Sequence, residues 1–91
     1  MDYDRLLASY RKLWSNRTLP LVNNSETTLE EAIKKELLDE MTHPRLRQRP
    51  EVKFVNALKR IFSSSLSDRE KLDLIELHTK LFDRVLKKED S

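Results

Sequence analysis

The sequence predicts an all-α protein folded as an antiparallel four-helix bundle, and three observations predict it. The 91 residues contain no glycine and only three prolines, and 37% of them are charged. That composition suits helices joined by short loops and disfavours tight hairpins, which want glycine at positive φ. Apolar residues recur at steps of three and four in four separate stretches. Each stretch is bounded by a capping or breaking signal. The length fits one domain, with helices at approximately 3–15, 28–42, 50–63 and 68–88.

The first helix carries Tyr3, Leu6, Leu7, Tyr10, Leu13 and Trp14 on one stripe. Asp2 and Asp4 sit at its start, where acidic groups oppose the helix dipole. Trp14, the single tryptophan, continues the stripe and reads as a core anchor. Pro20 and the Asn23-Asn24-Ser25 cluster break the pattern. Leu19, Leu21 and Val22, between the helices, are expected to fold down as a lid over one end of the core.

In the second helix, Thr28 and Glu31 have capping-box spacing, as do Thr27 and Glu30. Leu29, Ala32, Ile33, Leu37 and Met41 form the inner face, with Leu38 beside it. Pro44 disfavours helical geometry at His43 and puts the end near Thr42. Glu30, Glu31, Lys34, Lys35, Asp39 and Glu40 make an outer, solvated face.

The third helix starts at Pro50, a residue suited to a first helical turn. Val52, Val55, Leu58 and Phe62, with Phe54 and Ile61 alongside, are expected to face the core. Ser63-Ser64-Ser65 ends it. Ser67 and Glu70 then form the best capping box in the chain. The last helix is the longest, and its apolar arc is wide. Leu72, Ile75, Thr79, Phe82 and Leu86 line one face; Leu74, His78, Leu81 and Val85 line the next. Such an arc needs neighbours on more than one side, so this helix organises the other three.

Composition also excludes function classes. Without glycine there is no phosphate-cradling loop. Without cysteine there is no disulfide framework or thiolate chemistry. No apolar run approaches the roughly 18 residues of a membrane span, and the N-terminus lacks the order of a signal peptide. A cytoplasmic protein is expected. His43 and His78 are the only histidines, and neither has a second ligand near it in sequence, so no metal site and no cofactor are expected. The carboxylates fall on outer faces with no pocket to shift their pKa values. The chain is expected not to be an enzyme.

The net charge of +2 is unevenly placed: residues 26–41 carry six acidic and two basic groups, and residues 42–60 carry six basic and one acidic. The basic block suits an anionic membrane surface, an acidic partner or nucleic acid. Nucleic acid is the weaker expectation. The would-be recognition helix opens with Asp68, Glu70, Asp73 and Glu76, which phosphate would repel.

The order of features, LLASYRKLW, then TLEEAIKKELLDEM, then a basic proline-bearing connector and RPEVKFVNALKRIFSSSLSDREKLDLIELHTKLFDRVL, resembles the immunity proteins of pediocin-like bacteriocins, the enterocin A immunity family. The resemblance implies a cytosolic four-helix bundle that protects the producing cell. It would act at the inner membrane face on the mannose phosphotransferase permease occupied by the bacteriocin. On that reading the contact residues are Arg45, Arg47, Arg49, Lys53 and Lys59, with Lys87 and Lys88 at the tail, approaching acidic headgroups or permease loops. The alternative is a small helical regulator or adaptor that binds nucleic acid or a protein partner. A monomer is the expected state; a homodimer burying the arc of the last helix is the remaining reading.

Overall fold

The computed structural model describes residues 2–13, 24–40 and 42–89, the side chains of residues 88 and 89 excepted. Trp14, the lid residues Leu19, Leu21 and Val22, and Met41 lie outside the described part. Among the described residues, four helices form a bundle, α1 (Tyr3–Leu13), α2 (Ser25–Leu37), α3 (Pro50–Ser63) and α4 (Asp68–Glu89), with a 3-10 turn at Pro44–Leu46.

The start of α1 is held by Asp2, whose carboxylate accepts from the Arg5 backbone N–H at 3.3 Å. Leu6, Leu7 and Tyr10 are buried, so the expected stripe is the one used. α2 differs from the expectation at both ends. Asn24 caps it, accepting from the Thr27 N–H at 2.8 Å, so the helix opens at Ser25 and Thr28 is buried inside it. It stops at Leu37 because Asp39 adopts φ 54°, the left-handed conformation that usually terminates a helix through glycine. A glycine-free chain gives that position to aspartate, which tolerates it better than most residues. Pro44 is not what ends the helix.

Asp39 is also not on a solvated face. It is buried, and its carboxylate accepts from the Gln48 N–H at 2.9 Å and the Thr42 hydroxyl at 2.8 Å. These two bonds tie the end of α2 to the connector that leads into α3.

α3 opens at Pro50 as expected, but it is rotated. Ala57 and Ile61 are its buried residues. Phe54 and Leu58 are half-buried, while Val52, Val55 and Phe62 are exposed. The rotation has a cause on the opposite side. Arg60 donates to Glu36 at 2.7 Å and Lys53 lies 3.6 Å from Asp39, so α2 draws the charged side of α3 inward.

α4 is central. Its capping box forms, with Glu70 N–H donating to the Ser67 hydroxyl at 3.2 Å and Ser67 N–H donating to Glu70 at 3.3 Å. Leu74, Leu77, His78, Leu81 and Val85 are buried. The helix runs antiparallel to α3, since Phe54 stacks on Phe82 at 4.4 Å and the Lys71 ammonium reaches the Phe62 carbonyl at 3.1 Å. It also runs antiparallel to α2: Arg84 meets Glu30 at 3.8 Å, and the field of Glu36 reaches His78. α1 lies beside α2 and runs parallel to it, not antiparallel, since the Ser25 hydroxyl donates to Asp4 near the start of both and the Tyr10 hydroxyl donates to Glu36 near the end of both. The core joins Leu6, Leu7 and Tyr10 of α1, Leu29, Ile33 and Leu37 of α2, Ile61 of α3, and Leu74, Leu77 and Leu81 of α4. Each such side chain contributes about 1.5–3 kcal/mol on burial.

Candidate functional site

Three places concentrate polar or uncovered groups. The first is the basic block, which the fold divides. Arg47 is spent on the end of α2: its Nε donates to the Thr42 carbonyl at 3.0 Å and its guanidinium to the Glu40 carbonyl at 3.3 Å. A cation there also answers the negative end of the helix dipole. Lys53 is half-buried against Asp39. Arg45, Arg49 and Lys59 are exposed, and so is Lys87 at the far end of α4; the Lys88 side chain is outside the described part. Of the residues singled out in the sequence, Arg45, Arg47, Arg49, Lys59 and Lys87 are thus exposed and Lys53 is half-buried. Arg47 ties the connector to the end of α2, and Lys53 ties α3 to Asp39, uses invisible in a charge count.

The second is a polar network within the bundle. The Tyr10 hydroxyl donates to one oxygen of Glu36 at 2.8 Å, and Arg60 donates to the other at 2.7 Å. His78 lies against it, 1% exposed, with its ring 6.2 Å from that of Tyr10 and its Nδ1 2.7 Å from the Leu74 carbonyl. Burial pushes the imidazole pKa down, against the pull of the Leu74 carbonyl and the Glu36 carboxylate, with Arg60 adding to the depression. His78 is thus a packed histidine, as its place on the apolar arc indicates. Glu36 and Arg60 escaped the sequence reading as a pair because 24 residues separate them. The available signal was an acid one turn from Ile33, close to the edge of an otherwise apolar stripe.

The third is a cleft of about 670 Å³ between the first halves of α1 and α4, lined by Asp2, Arg5, Ser9, Glu70, Asp73 and Glu76 among others. Its charges already answer one another. Ser9 donates to Glu70, Arg69 pairs with Asp73 at 3.7 Å and Lys80 with Glu76 at 3.6 Å. The Ser9 hydroxyl is the main cause of a Glu70 pKa below its ordinary value, followed by the backbone and hydroxyl of Ser67. A carboxylate held ionised in an open cleft lacks the raised pKa of a general acid. Among the described residues, no group of three or more His, Cys, Asp or Glu side chains is placed to hold a metal ion. No helix of the described residues is long and apolar enough to cross a membrane.

What remains unanswered by the fold is apolar. On α3, Phe62 is 64% exposed, with Val52 at 44% and Val55 at 46%; on α4, Leu72 is 64% exposed. Phe62 and Leu72 sit at the same end of the α3–α4 hairpin, next to the Lys71 contact with the Phe62 carbonyl. Half-buried Leu58, Ile75, Phe82 and Leu86 continue the strip along the seam. Single exposed apolar residues need no explanation. A strip that runs along two adjoining helices is the kind of surface that marks an interaction site.

Among the described residues, the fold and its surface define a small all-α bundle with several ion pairs between its helices and an uncovered apolar seam. The whole chain, residues 1–91, matches the YoyC family, and it belongs to that family. It is 41% identical over 80 residues to the uncharacterized protein YoyC of Bacillus subtilis (strain 168), covering 87% of this chain and 85% of that protein. No solved structure matches it. Membership of the YoyC family overturns the resemblance to the pediocin-like bacteriocin immunity proteins. The features that carried it were amphipathic periodicity, a proline start and a capping box. Every small helical bundle needs these for physical reasons, so they identify an architecture and not a lineage.

Proposed function

We propose that this protein is a small non-enzymatic helical adaptor or regulator that binds another protein through the outer face of α3 and α4. The observation that carries the reading is the pair Phe62 and Leu72, both 64% exposed and both at the same end of the α3–α4 hairpin. Keeping two large apolar side chains in water gains the fold nothing, whereas covering them gains about 25 cal/mol per Å² of apolar surface. A protein partner fits this better than nucleic acid. The face is apolar, and two of the seven cations that would have met phosphate, Arg47 and Lys53, are engaged within the bundle. The cysteine-free composition favours a cytoplasmic setting.

Site-directed photo-crosslinking in cells tests the reading. A photoreactive phenylalanine replaces Phe62 in one variant and Glu31, exposed on α2, in another. The expected outcome is a discrete adduct from position 62 that is absent from position 31 and reduced by Leu72→Glu. Equal labelling from both positions, or none from position 62, rules out this face as the binding surface.

A further inference from the structure

The connector between α2 and α3 is pinned at both legs by one buried carboxylate. Asp39 accepts from the Thr42 hydroxyl at 2.8 Å on the incoming leg and from the Gln48 N–H at 2.9 Å on the outgoing one. Residues 43–47 stand between those pins. They contain the 3-10 turn Pro44–Leu46, in which the Leu46 N–H donates to the His43 carbonyl at 2.8 Å. Every residue from 43 to 49 is exposed. Leu46 is 73% exposed, more than Phe62 or Leu72. A leucine on a loose loop can fold back onto apolar neighbours; this one is kept out by a turn fixed at both ends.

The charges follow the same division. Residues 42–50 contain Arg45, Arg47 and Arg49 and no acid. Glu40 and Glu51 are exposed, but they lie outside the pins, Glu40 before Thr42 and Glu51 in the first turn of α3. Arg47 is partly engaged, since its guanidinium donates to the Thr42 and Glu40 carbonyls. Arg45 and Arg49 make no side-chain hydrogen bond or ion pair among the described residues. The connector thus presents one projecting leucine flanked by two uncommitted guanidiniums.

From this juxtaposition we infer that the connector is a contact site for an anionic lipid surface. Leu46 enters the boundary between headgroups and acyl chains, and Arg45 and Arg49 meet headgroup phosphates. An anionic leaflet offers both things the connector can use, negative charge at the surface and an apolar layer just beneath it. Nucleic acid offers the charge but no such layer, and residues 42–50 hold no Phe, Tyr or Trp on which a base could stack. The contact is modest. Each arginine near an anionic leaflet strengthens partitioning about fivefold, and burial of the leucine adds about tenfold. That makes a reversible contact and not an anchor. The inference goes beyond the protein-binding reading of the α3–α4 face and does not depend on it.

The test is flotation of the full chain with vesicles of phosphatidylcholine alone and with mixed vesicles of phosphatidylcholine and phosphatidylglycerol. The wild type is expected to float with the mixed vesicles, less so as salt rises, and not with phosphatidylcholine alone. Arg45→Gln combined with Arg49→Gln should weaken partitioning about 25-fold and flatten its salt dependence. Leu46→Ser should weaken it about tenfold and leave the salt dependence as it is. All three positions lie outside the core, so helicity should not change. The chain has no cysteine, so an environment-sensitive dye can be attached at Leu46→Cys and, as a control, at Glu31→Cys on the exposed side of α2. Mixed vesicles should shift the emission of the first to the blue and leave the second unchanged.

A wild type that ignores the mixed vesicles, or floats equally with phosphatidylcholine alone, overturns the inference. Flotation without a blue shift at position 46 overturns the assignment to the connector. Binding to duplex DNA as tight as to the mixed vesicles, with Leu46→Ser as tight as the wild type, makes the connector a general polyanion site and overturns the lipid. Photo-crosslinking from position 62 reads the α3–α4 face separately, so either proposal can fail while the other stands.

Discussion

α2 and α3 are helices of similar length, 13 and 14 residues, yet the fold treats them in opposite ways. α2 is conventional: Leu29, Ile33 and Leu37 are completely buried. In α3 the large residues Val52, Val55 and Phe62 are exposed, while the cations Lys53 and Arg60 are drawn to carboxylates of α2. α2 has one apolar face and therefore one way to pack. α3 carries a wider apolar arc, of which only Ala57 and Ile61 are buried. The two ion pairs and the Phe54–Phe82 stack decide its rotation. The difference teaches that charge pairing set the orientation of α3, and the uncovered seam is what that orientation leaves behind.

The largest expected effect breaks or upholds this comparison directly. Ile33→Ala on α2, or Leu81→Ala on α4, should cost on the order of 2–5 kcal/mol, because each empties a fully enclosed site. Phe62→Ala should cost well under about 1 kcal/mol in dilute, monomeric protein, despite removing a larger side chain, because surface substitutions lie within about 0.5 kcal/mol. Urea denaturation at low protein concentration measures all three. Comparable losses at Ile33 and Phe62 would mean that α3 packs conventionally and that no exposed seam exists.

The helices themselves were legible in the sequence because the forces that make them are local. The 3.6-residue stripe of α1, Pro50 at the start of α3 and the Ser67–Glu70 capping box all act within one or two turns. Each appears where expected. The rotation of α3 was not legible, because it depends on Asp39 and Glu36, 14 and 24 residues from Lys53 and Arg60. The end of α2 was missed for a related reason. Asp39 looked like one more exterior acid, and its left-handed backbone is held by Gln48 and Thr42 across a turn. The candidate contact residues fared unevenly. Charge density pointed to Arg45, Arg47, Arg49 and Lys59, which are exposed, but equally to Lys53, which is half-buried against Asp39. The apolar seam was hidden because an apolar residue at helical spacing reads as core by default.

A smaller effect sharpens the account of why α3 sits as it does. Glu36 accepts from Tyr10 and Arg60 at once and is itself little exposed. Glu36→Gln keeps the shape and removes the charge, leaving the Arg60 guanidinium, still partly solvated, without its anion. The expected cost is about 1–3 kcal/mol. Replacing Arg60 by Met in the Glu36→Gln background should recover part of it, since both charges are then gone. A double-mutant cycle reads the coupling between them. A cycle that closes at zero would show that the pair does not orient α3, and the rotation would need another cause.

The smallest expected effect is in pH, and it separates the polar interior from the surface. His78 is buried against Tyr10 of α1, Glu36 of α2 and Arg60 of α3, and its pKa is lowered from the ordinary 6.5, chiefly by desolvation. A depressed histidine pKa means that the unfolded chain takes up a proton before the folded one does. Stability is therefore complete above 6.5 and is lost as pH falls from there through the lower folded value. The carboxylates come later. Asp39 is lowered from 3.8, first by the Gln48 N–H and then by the Thr42 hydroxyl, and Glu70 is lowered from 4.5 by Ser9 and Ser67. Their stabilisation is present above those ordinary values and disappears only as pH falls through the folded ones. Equilibrium denaturation between about pH 7.5 and 5 thus isolates the imidazole. The wild type should lose stability across that window, and His78→Gln should show a flatter dependence whatever its absolute stability. Parallel slopes for the two proteins would mean that the imidazole is solvated in the fold, and that the interior between α1, α2 and α3 is as open to water as the seam between α3 and α4.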